Sequence, residues 1–129
     1  MHGTSSYGTC LHIDKDLVAA SATPLVLAIL DEGESYGYAI LKRVRALSGG
    51  ELAWTDGMLY PLLHRLLRLG YVTTEWRTPP VGRRRKYYSI TDEGRAALAD
   101  HQQQWVAVTR ALNDVWPGSG ALLAALGET

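Results

Sequence analysis

Four cations in succession, Arg83, Arg84, Arg85 and Lys86, are the clearest chemical feature of this sequence, and the chemistry they suit is anion binding. Held side by side they repel one another, so a fold that carries them together gains most when an anion lies against them. A second set has helical spacing. At about 3.6 residues per turn, Gly57, Pro61, His64 and Arg68 fall on one side, with Tyr60 and Arg65 flanking them and Thr55 just ahead. Arg, His, Tyr and Thr donate hydrogen bonds to phosphate oxygens and base edges, and Gly57 leaves room for a backbone to approach closely.

Catalysis has no comparable set. His64 and His101 lack a Ser, Cys or carboxylate constellation around them, and no phosphate-binding glycine loop occurs, so an enzyme is not expected. Cys10 and His12 are two potential metal ligands in a stretch without periodicity, which is too few for a metal site; neither metal nor cofactor is expected. As the only cysteine, Cys10 excludes an intramolecular disulfide and fits a reducing cytoplasm. The uncharged run from Leu17 to Leu30 has 14 residues, whereas a bilayer span needs about 20. Lys15 lies between Asp14 and Asp16 rather than in a basic stretch, so this run reads as a buried helix and not as a signal peptide or membrane span.

The chain has 129 residues, 47% of them hydrophobic, enough for one compact domain. Its net charge of zero conceals an uneven distribution. Between Lys42 and Lys86 there are ten basic and three acidic residues, a balance of +7 that the rest of the chain offsets.

The elements that must position these groups follow in order. Residues 1–13 read as a mobile arm, and a first helix starts at Asp14, with a kink or split expected at Thr23-Pro24. Ser35 is expected to cap a second helix running to about Ser48, with Tyr36, Ile40, Val44 and Leu47 as its buried stripe. Lys42, Arg43 and Arg45 then lie on its outer face, as a solvated surface or as phosphate contacts. The third helix, Thr55 to Gly70, has Thr55 as N-cap, Gly70 as its left-handed stop and Leu59, Leu62, Leu63, Leu66 and Leu69 as its apolar stripe. Pro61 predicts a tight or bent first turn. Two β-rich runs, Tyr71 to Arg77 and Lys86 to Ile90, predict a hairpin whose tip carries the cationic cluster.

Thr91 caps a last helix of about 25 residues, closed by Pro117-Gly118 and roughly 37 Å long, more than so small a core can cover. Leu98, Trp105 and Leu112 recur every seven residues, with His101, Val108 and Val115 on the alternate seam; this predicts a helix-mediated homodimer, with packing on the first helix as a rival for part of the stripe. The expected organisation is a mobile arm (1–13), a winged helix-turn-helix domain (14–90), a dimerisation helix (91–116) and a flexible apolar tail (117–129). The fold class is mainly α with a small β-hairpin.

Three separated motifs in this frame resemble the PadR-like transcriptional regulators. They are Tyr36-Gly37-Tyr38-Ala39-Ile40; Gly57-Met58-Leu59-Tyr60-Pro61-Leu62-Leu63 with Arg65-Leu66 and Gly70-Tyr71-Val72; and Gly82 through Thr91 with Gly94. The resemblance covers roughly Asp16 to Asn113. It implies a dimeric cytoplasmic repressor in which the last helix of each chain crosses to the other. The short, multidrug-responsive members carry a tryptophan in that helix, and Trp105 matches it. By that likeness Trp105, with His101 and Val108, would bind a planar aromatic effector at the dimer centre, although an indole on an apolar seam also suits plain interface packing. Leu67 departs from the family, which usually has Glu there, and so does the extended tail after Trp116.

The expected partners are therefore double-stranded DNA with a palindromic operator, a second copy of the chain and a flat small molecule. Thr55, Gly57, Tyr60, His64, Arg65 and Arg68 would meet the major groove, and Arg83, Arg84, Arg85 and Lys86 the phosphates or the adjacent minor groove. Leu98, Trp105, Val108, Leu112 and Val115 would form the dimer interface. The alternative is a winged-helix module that binds an acidic protein, with no effector.

Overall fold

The computed structural model describes residues 12–116 of the chain. Most of the expected arm, Cys10, the Pro117-Gly118 stop and the tail lie outside the described residues.

Helix α1 (Lys15–Asp31) begins where the Asp14 carboxylate accepts the Asp16 backbone N–H at 3.0 Å. It runs unbroken through Pro24, so of the kink or split expected at Thr23-Pro24 the split does not occur. Proline costs the helix one bond there, but Ala22, Val26, Leu27, Ile29 and Leu30 are buried on both sides of it, and this packing holds the helix together.

Ser35 and Tyr36 do not start a helix. They form a short strand, β1 (Ser35–Tyr36), and helix α2 (Gly37–Leu47) follows with no side-chain cap. The pairing Ser35↔Tyr88 and Tyr36↔Tyr87 gives that backbone its partners, so the expected hairpin is a three-stranded antiparallel sheet in the order β1-β3-β2. Strands β2 (Val72–Arg77) and β3 (Arg85–Ile90) pair from Val72↔Ile90 to Arg77↔Arg85. The buried stripe of α2 is Gly37, Ile40 and Val44; Leu47 is exposed, because the helix ends within one residue and Gly50 N–H turns back to the Arg45 carbonyl at 2.8 Å.

Helix α3 (Asp56–Arg68) buries Leu59, Leu62, Leu63 and Leu66 as its spacing predicts. Leu69 follows the helix and is exposed. Gly70 adopts φ 79°, and the paired bonds Tyr71 N–H to Leu66 O (2.9 Å) and Gly70 N–H to Leu67 O (3.1 Å) close the helix as the sequence implies. The first turn is tight, with Met58 and Leu59 N–H both donating to the Thr55 carbonyl at 3.1 and 3.0 Å. The Thr55 hydroxyl makes no cap bond, so only its backbone acts as cap.

Helix α4 (Asp92–Val115) has 24 residues. Thr91 fastens it to the end of α3: its oxygen accepts Gly94 N–H at 3.0 Å, and its hydroxyl donates to Gly70 O at 2.6 Å. The core lies between α1, the buried faces of α2 and α3, and the base of the sheet, with Leu98 closing it from α4. The acidic end of α1 and the turn after it reach three other elements, through Asp31–Arg95, Glu32–Arg43 and Glu34–Arg77.

Candidate nucleic-acid interface

The polar side of α3 faces away from the core. Gly57, Tyr60, Pro61, His64 and Arg68 are all exposed. The fold itself does not require glycine at position 57, since a Cβ there would meet nothing nearer than Thr55 Oγ1 at 3.8 Å. Tyr60 is fixed differently: its hydroxyl end packs against Gly37, where a Cβ would collide with the phenol. Arg65 points to the other flank, where its Nη2 donates to Thr23 Oγ1 of α1 at 2.9 Å. Helical projection places Arg65 beside the polar face, and the contact with α1 turns it away.

A groove of about 620 Å³ joins α3 to the sheet. Tyr60 and His64 line it on one side and Arg83, Arg84, Arg85 and Lys86 on the other, with Tyr36, Tyr38, Trp76 and Tyr88 between. No carboxylate is among the residues lining it. His64 also borders a second cleft, shared with Arg65, Arg68 and the α1 residues Ala19 and Ala22. Thr55 and Gly57 sit exposed at the start of α3, outside both linings.

The cationic run is not simply four charges repelling one another in water. Arg84 lies over the Trp76 ring at 4.7 Å and Arg85 over Tyr36 at 4.4 Å. Lys86 is 5.9 Å from the Trp76 ring centre and 5.8 Å from that of Tyr88. The negative faces of these rings offset the mutual repulsion. Alternation along β3 sends Lys86 to the face shared with Trp76 and Tyr88, and Arg85 to the face shared with Tyr36 and Tyr87. Trp76, Tyr36, Tyr38 and Tyr88 line the site without being among its expected residues; only for Trp76 and Tyr88 do the β-rich runs contain a signal, Trp76 as the cross-strand partner of Lys86.

Ion pairing sorts the other cations. Among the described residues, Arg43 is bound by Glu32 and Arg77 by Glu34 and Glu75, and none of these pairs reaches Arg83–Lys86. The Arg43 side-chain hydrogen bond holds the Glu32 carboxyl below its ordinary range, and Arg77 does the same for Glu34. Arg77 is raised in turn. Burial is the main cause that raises the Tyr88 phenol, with the nearby Tyr60 adding to it. Arg43 is thus tied to the acidic turn rather than offered to phosphates.

On α4 the expected seam divides. Leu98 is only 6% exposed and belongs to the chain's own core, so the rival packing on α1 accounts for this part of the stripe. Val108 and Val115 are 52% and 74% exposed, and Leu112 is half-buried. His101, Trp105 and Val108 line one hollow with Gln104 and Ala20. The half-buried Trp105 also borders a second hollow, with Pro24, Leu25, Ala28 and Leu98. Among the described residues no cluster of three His, Cys, Asp or Glu side chains is placed to hold a metal ion, and no helix is long and apolar enough to cross a membrane.

Residues 26–100 match the family described as "Transcriptional regulator PadR-like family". Among solved structures, the chain is similar to a transcriptional regulator from Clostridium thermocellum, with 28% identity, TM-score 0.73, and coverage of 80% of this chain and 97% of that one. A PadR-like transcriptional regulator from Bacillus cereus is 26% identical with TM-score 0.71, over 81% of this chain and 99% of that one. A PadR family regulator from Eggerthella lenta is 31% identical with TM-score 0.67, over 80% and 88%.

Proposed function

The chain belongs to the PadR-like family of transcriptional regulators, and from that premise we propose that it works as a homodimeric repressor relieved by a flat aromatic molecule. It is a DNA-binding regulator and not an enzyme. In this reading α3 of each protomer enters a major groove, and two-fold symmetry sets the half-sites of a palindromic operator about 34 Å apart. Tyr60, His64 and Arg68 read or grip the groove, and the open space over Gly57 admits a backbone at close range. Thr55 stands at the leading end of the helix. Arg65 acts from the flank, through whatever reach its bond to Thr23 leaves it.

The single observation that carries the reading is the carboxylate-free groove between α3 and the wing. When α3 lies in the major groove and the wing over the minor groove, the phosphodiester strand separating the two grooves must run between them. The lining fits that strand: cations for phosphates, and phenol donors for phosphate and sugar oxygens.

Dimerisation is supported by the exposed valines Val108 and Val115 on a helix with seven-residue spacing, together with Trp105 and Leu112. The effector reading rests on the hollow that Trp105 lines with His101 and Val108, since an indole is the side chain best suited to stack on a flat ligand.

Titrating DNA from upstream of the gene with the wild type and with an Arg84→Ala/Arg85→Ala variant, at two salt concentrations, tests the reading. Retardation of one fragment, with weaker binding and a flatter salt dependence in the variant, is expected. No preference for any duplex would return the chain to the protein-binding alternative.

A further inference from the structure

We propose that Trp76 is a positioning residue of the wing, holding Arg84 and Lys86 in the orientation in which they meet DNA phosphates; this rests on the reading of the wing as a phosphate grip. Trp76 is 53% exposed and lies outside the core cluster, so folding does not account for so large an apolar side chain there. Its ring is the shared support of two cations, Arg84 at 4.7 Å and Lys86 at 5.9 Å. Lys86 stands directly across the ladder from Trp76. Arg84 lies one residue before β3 begins, where strand geometry no longer dictates side-chain direction. The indole supplies that direction.

The neighbouring register pair makes a useful contrast. Arg77, next to Trp76 on β2, is bound by two carboxylates, Glu34 and Glu75. Arg84 and Lys86 have an aromatic face instead. A carboxylate would occupy the N–H donors of a cation, whereas a ring beneath a guanidinium leaves its N–H edge free to bind a phosphate. The ring also confines two flexible side chains before DNA arrives, which lowers the ordering cost on binding. Trp76 thus raises wing affinity without being required to touch DNA.

The test compares full-length Trp76→Leu, Trp76→Phe, Arg84→Ala, Arg84→Ala/Lys86→Ala and the triple variant that adds Trp76→Leu, each titrated with operator and random duplex across a salt series. Trp76→Leu should weaken both duplexes by about two- to fivefold per wing, with the salt slope unchanged because the cations are still present. Trp76→Phe should recover most of the loss. Removing both cations should weaken binding and flatten the slope, and adding Trp76→Leu to that background should cost nothing further. Full affinity in Trp76→Leu beside a weakened Arg84→Ala would overturn the positioning role while leaving the wing as a phosphate grip. Full affinity after removal of both cations would overturn both. An equal Trp76→Leu loss in the cation-free background would make Trp76 a direct DNA contact instead. Trp76→Leu should melt with the wild type; if it does not, the Trp76→Phe comparison decides.

Discussion

The phenol oxygen of Tyr60 occupies the space that a Cβ on Gly37 would need. The start of α2 and the polar face of α3 are thereby interlocked, and Tyr60 reaches the groove at a fixed angle. Gly37→Ala should push the ring outward. Tyr60 is 39% exposed and can swing away, so the stability cost should be near the low end of overpacking, about 1 kcal/mol. DNA affinity should fall as far as it does in Tyr60→Ala. Urea denaturation beside a DNA titration checks both, and retained affinity would remove Tyr60 from the reading face.

Gly94 meets a different obstacle. A Cβ there would run into the Tyr71 carbonyl oxygen, with Ile90 Cγ1 at 2.8 Å. Neither neighbour is the free end of a mobile side chain, so the start of α4 must shift away from the turn that ends α3. Gly94→Ala should destabilise the fold by about 1–3 kcal/mol, more than Gly37→Ala. Comparing their denaturation midpoints tests this, and equal midpoints would contradict it.

Local rules reached most of the fold because most of it is local. The leucine stripe of α3 up to Leu66, the stop at Gly70 and the Thr91 cap each depend on residues within a few positions of one another, and all three are found as read, while Leu69 falls past the helix end and is exposed. The failures share a cause. Ser35 and Tyr36 become a strand only because β3, some fifty residues later, offers them an edge. Pro24 stays inside α1 because packing outweighs one lost hydrogen bond. The same limit applies to the site. Helical projection put Arg65 on a flank but could not say that Thr23 lies there, and the cationic run was visible while its aromatic supports were not. Those supports depend on the hairpin register, which a seven-residue loop of unspecified shape leaves open.

Acid should loosen the turn after α1. Glu32 and Glu34 are held below their ordinary value of 4.5, chiefly by hydrogen bonds from Arg43 and Arg77. Between the folded and unfolded values the unfolded chain binds more protons, so stability rises with pH through that window. Their contribution is full above pH 4.5 and is lost as pH falls below it toward the lowered folded values. Both carboxylates are at the surface, so the effect at neutral pH should be small and sensitive to salt. Glu34→Gln should flatten the acid limb of a stability-against-pH curve, and an unchanged limb would show that the Arg77 pair contributes nothing.

Substitutions at Leu98 and Val115 should separate folding from the proposed assembly on one helix. Leu98 is buried within the chain, and Leu98→Ala should cost about 2–5 kcal/mol of stability, as core truncations do. Val115 is 74% exposed, and Val115→Asp should leave the secondary structure intact while weakening self-association by placing a charge in an apolar seam. Sedimentation at several concentrations, with circular dichroism alongside, distinguishes the two. An undisturbed dimer in Val115→Asp would move the interface off this part of α4.

Trp105 lines both hollows, and the part in effector binding proposed for it can be isolated by substitution. Indole stacking contributes on the order of 1 kcal/mol beyond burial, whereas micromolar affinity needs about 8 kcal/mol, so a ligand must also use neighbours such as His101, Gln104 and Val108. A planar cationic dye should quench intrinsic fluorescence saturably in the wild type. The chain has four tryptophans, and Trp76 and Trp116 are about half exposed, so quenching alone does not locate the dye. Trp105→Ala should abolish the saturable phase while the protein sediments as before. Loss of the dimer together with the dye phase would make Trp105 a packing residue of the interface, and persistence of the phase would move the ligand elsewhere.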